Sequence, residues 1–161
     1  MSKGSNSRKN RFLNAFVKFS LEDVQSDITC RCKFNFSYFD TNQEYGADLA
    51  TWDEKNLQQF YSKLKSYSAH PLSYWQQQNV GSHRNHVLEI YGGFPKRSGF
   101  VHPSHVPSDV DWARFRLDGK IRLVGFTIPK SYCKEQTGFD YNTFYIVFLD
   151  PEHKFYLSAR G

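Results

Sequence analysis

Apolar and polar residues alternate most regularly near the start of the chain, in the stretch "ITCRCKFNFSYF". The apolar positions begin at Ile28 and recur at every second residue up to Tyr38. A period of two over this length predicts a β-strand with one face on the core and the other in solvent.

The spacing changes to that of a helix in "TWDEKNLQQFYSKLKSY", where apolar residues recur at Leu57, Phe60, Tyr61 and Leu64. These residues predict an amphipathic helix that buries one stripe. Thr51 and Glu54 have the spacing of a capping box, so we expect the helix to begin there. A shorter second helix is predicted for "PLSYWQQQ", with Pro71 in its first turn.

Four apolar runs in the second half of the chain predict further strands: "HVLEIY", "WARFRL", "KIRLVGFTI" and "TFYIVFL", with "KFYL" as a candidate edge. Asp118-Gly119 and Asp150-Pro151 are turn signals between them. The run "TFYIVFL" is apolar on both faces, which is typical of a central strand. The order predicts an α+β fold of the form β-α-α-β-β-β. In it, an antiparallel, curved sheet of about four to five strands carries two helices on one face.

One folded domain is predicted for residues 25–161, after a basic extension at residues 1–24. Within the extension, residues 1–11 lack periodicity and are typical of a flexible tail. The segment "FLNAFVKFSLEDV" suggests a short amphipathic helix, with a strand as the alternative. An insert rich in His, Pro and Gly at about residues 92–110 interrupts the domain.

Composition limits the classes of function. A net charge of +5 over 161 residues favours polyanionic partners without selecting one. No apolar run reaches the ~20 residues that span a bilayer, so we expect a soluble, cytoplasmic protein with no membrane partner. Three cysteines, an odd number, indicate reduced thiols.

The placement of charge is more informative in "WARFRLDGKIRLVGF". In its first strand, Ala113 and Phe115 belong to the core, so Arg114 and Arg116 share the opposite face. In the second strand, the same argument puts Arg122 outside the core.

The loop between these two strands determines whether the arginines meet. A two-residue Asp-Gly hairpin would oppose Arg116 to Ile121 and put apolar and charged residues on one face. A three-residue loop, or one bulge, opposes Arg116 to Arg122 and Phe115 to Leu123, so we predict a loop of odd length. Three arginines on one face would favour a bound anion such as a phosphate or a carboxylate. The alternative is a solvated sheet face with acidic neighbours.

The stretch "LDPEHKFY" ends the last strand and brings His153, Lys154 and Tyr156 close to the same face in a meander. A histidine can give or accept a proton near neutral pH. The simpler alternative is a surface turn that closes on a buried Tyr156.

These features resemble the RelE/ParE-like toxin superfamily, and within it the RelE/YoeB-type mRNA interferases. The matching positions are the alternating pair Arg114 and Arg116, then "RLV" from Arg122, then "FYIVFL", then His153 and Tyr156. As topology the resemblance covers about residues 28 to 157, and as motif only the last 45 or so.

The resemblance implies metal-independent cleavage of RNA, including ribosome-bound mRNA, and a cognate antitoxin protein as a partner. Arg116 and Arg122 would hold the scissile phosphate, and His153 would act as acid or base with Lys154 or Tyr156 assisting. No cofactor is implied. The phosphate-binding residues would be Arg114 and Lys120, with Trp112 stacking on a base and His86 as a further candidate.

Two other interpretations remain open. The pairs His83-x-x-His86 and His102-x-x-His105 have ligand chemistry suited to zinc, but the second pair fits a Pro-rich loop more simply, so no metal site is predicted. The second alternative is a non-catalytic RNA-binding or protein-interaction domain on the same fold. In that case the arginines would bind their partner, and His153 would be dispensable.

Overall fold

The computed structural model of the protein describes residues 7–15, 21, 27–81, 85–134 and 138–158. Its helices are α1 (Ser7–Asn14), α2 (Glu54–Tyr67) and α3 (Leu72–Gln77), with 3₁₀ turns at Leu49–Thr51 and Lys130–Lys134. Its strands are β1 (Lys33–Asn35), β2 (Leu88–Gly92), β3 (Asp111–Arg116), β4 (Arg122–Thr127) and β5 (Thr143–Asp150). The α+β class predicted from the sequence is confirmed.

All five strands belong to one sheet, in the order β1-β5-β4-β3-β2. The last four strands form an antiparallel meander, whereas β1 pairs in parallel with β5. The sheet is therefore mixed, and the prediction of a purely antiparallel sheet is wrong at this edge. The central position predicted for "TFYIVFL" is confirmed, because β5 has a neighbour on each side.

The first strand is much shorter than the alternation from Ile28 to Tyr38 predicted. Residues 27–32 form turns, held in part by an ion pair from Arg31 to Asp27 at 2.8 Å. After the strand, the side-chain oxygen of Asn35 accepts a hydrogen bond from the Ser37 amide at 2.8 Å. This local bond competes with the ladder and ends the strand.

The helices also begin at different residues from those predicted. Asp53, not Thr51, caps α2, since its carboxylate accepts from the Asn56 amide at 2.8 Å. The Thr51 hydroxyl donates instead to the Asp48 carbonyl at 2.8 Å. Helix α1 covers part of the segment predicted to be a flexible tail, and residues 16–20 and 22–26 lie outside the described residues.

One face of the sheet packs against α2 and α3, as predicted. We call the buried residues on this side the helix-side core; it includes Phe60, Tyr67, Leu72, Phe115 and Phe144. Leu57 and Tyr61, predicted for the buried stripe of α2, are exposed. The prediction was wrong for these two because the stripe in contact with the sheet runs through Phe60 and Tyr67.

The other face of the sheet is buried as well, which the sequence did not predict. The insert folds back over it and forms an insert-side core with Phe100, Val106, Trp112, Phe126, Phe148 and Phe155, among others. The strand residues that were predicted to face solvent are therefore covered by the insert. The described helices include none that is both long and apolar enough to cross a membrane.

The β3–β4 hairpin has the register that its charge pattern predicted. Arg116 lies opposite Arg122, and Phe115 lies opposite Leu123. The Leu117 amide donates to the Ile121 carbonyl at 3.1 Å, which leaves a three-residue loop with Gly119 at a φ of 50°. The predicted loop of odd length is confirmed.

The backbone of β4 comes very close to β5 at Gly125. A β-carbon at this position would lie 2.0 Å from the Tyr145 carbonyl oxygen, at a point where the β4–β5 register shifts between Val124 and Gly125. Only glycine fits here without displacing a central strand.

We predict that Gly125→Ala lowers the free energy of unfolding by about 3 kcal/mol or more, because the contact is with backbone that cannot rotate away. Urea unfolding followed by circular dichroism measures the change. Gly93→Ala is the matched control, since its added β-carbon would meet nothing within 4 Å. Equal stability of the two variants would contradict the argument.

Candidate functional site

Three arginines lie together at one end of the insert-side face; we call Arg114, Arg116 and Arg122 the arginine cluster. The register brings Arg116, Arg122 and Asp150 into one row across β3, β4 and β5. Arg114 lies one step further along the same face, opposite Glu89 of β2. The meeting of the three arginines was predicted, and the burial of the face they share was not.

Arg114 is held by two partners from β2. Its Nη2 donates to the Glu89 carboxylate at 2.7 Å, and its Nε donates to the Tyr91 hydroxyl at 2.6 Å. Arg114 is buried, with 5% of its surface exposed, whereas 40% of the Glu89 side chain is exposed, so water reaches the ion pair from the carboxylate side. Its Nη1 is buried and has no hydrogen-bond partner among the described residues.

Arg122 is the most constrained member of the cluster, with 4% of its surface exposed. Its Nη1 donates to the carbonyls of Gly119 and Ile121, both at 2.8 Å, which fixes the guanidinium against its own hairpin. The Nε atoms of Arg122 and Arg116 are buried and have no hydrogen-bond partner in the described part of the chain. Burial and the charges of Arg116 and Arg114 lower the pKa of Arg122 to about 10. Arg122 is thus still protonated at neutral pH.

Asp150, at the end of β5, organises the C-terminal turn that covers the cluster. Its carboxylate is fully buried and accepts three backbone hydrogen bonds: from Glu152 at 3.3 Å, Lys154 at 2.9 Å and Phe155 at 2.8 Å. Asp150 also lies directly opposite Arg122 in the β4–β5 register. One buried carboxylate therefore joins the arginine row to the turn that carries His153.

His153 lies at an exposed position of this turn, and its backbone has a φ of 61°. A non-glycine residue in this left-handed conformation is uncommon, and the Asp150 hydrogen bonds on either side hold it there. Burial of its ring and the charges of Arg122 and Arg114 lower the pKa of His153 below 6.5, although Asp150 opposes them. The imidazole is therefore neutral at pH 7 and able to accept a proton.

Three tyrosines surround the arginine cluster. Tyr156 stacks on Tyr91 with ring centroids 4.9 Å apart and planes at 5°, and 47% of its surface is exposed. Tyr67 donates its hydroxyl to the Arg116 carbonyl from the opposite side of the sheet. Burial raises the pKa of Tyr91 and raises that of Tyr67 to about 12, so both remain hydroxyls at neutral pH. The alternative of a buried Tyr156 is wrong, since Phe155 is the buried residue.

Other predicted site residues are distributed differently. Trp112 cannot stack on a base, because it is 1% exposed and packs between Phe94 and Phe148 in the insert-side core. His86 forms an isolated bridge with Asn79, ahead of β2. Lys120 is exposed in the hairpin loop.

Lys154 contributes to the turn through its backbone. Its amide donates to Asp150, and its carbonyl accepts from the Gly99 amide at 2.9 Å. The turn is thus tied to the insert as well as to the sheet. A catalytic role of the Lys154 ammonium group remains a prediction.

The histidines proposed as alternative zinc ligands occupy other surroundings. His83 lies outside the described residues. His102 packs edge-on against Phe94 and Trp112, and His105 contacts the Tyr38 carbonyl at 3.1 Å. Among the described residues, no group of three or more His, Cys, Asp or Glu side chains has an arrangement that could hold a metal ion.

Glu89, Tyr91 and Asp150 belong to the site but were missed in the sequence. Glu89 and Tyr91 are two residues apart in "HVLEIY", so both side chains lie on the same face of β2. The sequence did not show that β2 would pair with β3, the strand that carries Arg114. Asp150 was interpreted only as the residue before Pro151 that stops a strand. Its role depends on three amide groups that fold back over it.

The fold and the site define this protein as an α+β protein with a five-stranded mixed sheet and an arginine cluster, two of whose members are buried, close to its C-terminal turn. Comparison with known proteins finds no match to any family model, curated protein or solved structure. The resemblance to the RelE/ParE-like superfamily therefore remains a prediction from the sequence.

We predict that Asp150→Asn lowers the free energy of unfolding by about 1 to 3 kcal/mol, because the amide group faces an N–H donor that the second carboxylate oxygen accepted. Urea unfolding measures it. Glu152→Gln, an exposed change of the same kind in the same turn, should stay within about 0.5 kcal/mol of the wild type. If Asp150→Asn is as stable as Glu152→Gln, the Asp150 carboxylate does not stabilise the C-terminal turn.

Proposed function

We propose that this protein is a metal-independent endoribonuclease whose active site is the arginine cluster together with His153. The observation that carries the proposal is the direct opposition of Arg116 and Arg122, each with a buried, unpartnered Nε among the described residues. Of the ion pairs in the described part of the chain, only Arg114–Glu89 involves an arginine of the cluster. A bound phosphate would supply the missing charge and the missing acceptors.

The energetic cost of two opposed arginines with donors unpartnered among the described residues supports an anionic ligand. Like charges directly opposite each other destabilise a sheet, and a buried donor without a partner costs about 1–3 kcal/mol. Guanidinium groups make short, charge-assisted hydrogen bonds to phosphate oxygens. Arg116 is the more accessible of the two, since it is half-buried and Arg122 is buried.

The reaction is an in-line transesterification at phosphorus. His153, neutral at pH 7, takes the proton of the RNA 2′-hydroxyl, and the 2′-oxygen attacks the phosphorus. The bond from phosphorus to the 5′-oxygen breaks, and Tyr156 donates a proton to that oxygen. The products are a 2′,3′-cyclic phosphate and a 5′-hydroxyl. Arg116 and Arg122 stabilise the negative charge that develops on the phosphorane, which is a large effect in a site shielded from water.

The arrangement of elements is a further support. A strand, two helices and an antiparallel run of strands follow one another between β1 and β5, as the RelE/ParE-like resemblance implies, with one strand more. In the proposal, ribosome-bound mRNA is a candidate substrate. Lys120, exposed at the hairpin, contacts the RNA backbone beyond the scissile phosphate.

The test compares RNA cleavage by the wild type, Arg116→Ala and His153→Ala, with EDTA present and with ribosomes added in parallel. We expect each variant to lose cleavage by about 100-fold or more, because each removes either charge stabilisation or proton transfer. Arg31→Ala is the matched control, since Arg31 is exposed and paired with Asp27 away from the site. End-group analysis should find 2′,3′-cyclic phosphate on the wild-type products.

A second candidate function is a non-catalytic RNA-binding or protein-interaction domain. It is favoured by the structural partners that Arg114 and Arg122 already have in Glu89 and the hairpin carbonyls. In that case the wild type binds RNA, Arg116→Ala weakens binding, and His153→Ala changes nothing. Binding without cleavage in every condition would replace the nuclease by this candidate.

We predict that cleavage falls as the pH is lowered through a value below 6.5. The reason is that the catalytic form of His153 is neutral, and the protonated form dominates once the pH is below its lowered pKa. A pH–rate profile under single-turnover conditions measures it. Arg114→Ala should move the acid limb to higher pH, because Arg114 is one of the charges that lower this pKa. If the acid limb has the same position in Arg114→Ala as in the wild type, a group other than His153 accepts the proton.

A further inference from the structure

A second site lies beyond the insert-side core, at the other end of the same sheet face. It is a pocket of about 210 Å³ lined mainly by aromatic and proline rings. The residues that matter here are Tyr38, Asp109, Phe126, Tyr132, Phe139 and Tyr145. Phe126 follows Arg122 by four positions on β4, so the pocket begins about 13 Å from the arginine row.

Tyr38 and Tyr132 each meet other rings of this pocket nearly at right angles. Tyr38 is nearly perpendicular to Phe126, at 78° and 5.0 Å between centroids, and to Tyr145, at 87° and 5.8 Å. On another side, Tyr132 and Phe139 meet at 78° and 5.8 Å. Two adjoining corners of this kind suit a compact, rounded group. A planar base would need a parallel ring face on which to stack, and the parallel pair Phe126 and Tyr145, with centroids 4.8 Å apart, leaves no space between its faces.

The charge of the pocket is opposite to that of the whole protein. Its one charged residue among those that line it is Asp109, whose carboxylate is exposed and accepts a hydrogen bond from the Tyr132 hydroxyl. Aromatic faces carry partial negative charge, and a carboxylate adds to it. A phosphate is therefore disfavoured here, in contrast to the arginine cluster, and an organic cation is favoured.

We propose that this pocket binds a methylated ammonium group. Aromatic rings set around such a cation attract it through their quadrupoles, and Asp109 at the pocket balances its charge. The volume is below the ~300–1,000 Å³ of sites for drug-sized ligands, which suits a head group rather than a large molecule. The same chemistry is presented by choline and by a trimethylated lysine side chain. The site does not depend on the nuclease proposal.

The experiment titrates the intact protein with tetramethylammonium chloride and, separately, with tert-butanol, a neutral molecule of similar shape. Binding is followed by NMR chemical shifts of the pocket aromatics. We expect saturable binding of the cation and none of the alcohol over the same concentration range. Phe139→Leu should weaken cation binding by about 2- to 30-fold, the range of a cation–π contact. Asp109→Asn should weaken it by up to about fivefold, as for an exposed ion pair.

The control variant is Tyr61→Leu, which removes an exposed aromatic side chain on α2 and should leave cation binding unchanged. Phe139 and Asp109 are exposed, so their variants should keep the wild-type unfolding midpoint. Two further titrations, with choline and with a trimethyllysine peptide, tell the sources apart, and saturation by either supports the site. Equal binding of tert-butanol, saturation by a nucleoside in place of the cation, or no saturation by tetramethylammonium would overturn the proposal.

Discussion

The buried carboxylate of Asp150 is the group on which the arrangement of the site depends. It accepts three backbone amides of the C-terminal turn and lies in register with Arg122. Inside a protein such a carboxylate is costly unless its lone pairs accept hydrogen bonds, and here the three backbone amides donate to them. Because the turn is hydrogen-bonded to this carboxylate, His153 is held close to the arginine cluster in the left-handed backbone conformation, which is unfavourable for a residue other than glycine.

The same face of the sheet has opposite chemistry at its two ends. The arginine row holds concentrated positive charge under the C-terminal turn, and the aromatic pocket holds negative potential beside Asp109. The packed rings of Trp112, Phe148 and Phe155 lie between them and exclude water. The separation of about 13 Å along β4, rather than the apolar layer, keeps the two fields distinct, since a water-free layer screens charges less than solvent does.

Much of the site could be predicted from the sequence, and the part that could not be predicted depends on contacts between distant segments. The register of Arg116 against Arg122 followed from the alternation of two strands and the requirement that apolar residues share a face. The approach of His153 followed from its position after the central strand. Glu89 and Tyr91 were missed because strand order is a long-range property. Trp112 was assigned to a nucleic-acid surface because the insert, polar on average, gave no signal that it would cover the sheet.

The sequence by itself determined the α+β class, the two packed helices, the central strand and the meeting of the arginines, because these depend on local periodicity and on the turn between adjacent strands. Tertiary structure alone decided the parallel pairing of β1, the second core and the depth at which the arginines lie. Those features depend on segments far apart in the chain. Phe34 of β1 pairs with Phe144 of β5, and Phe100 and Phe155 meet only after the insert and the C-terminal turn have closed over the sheet.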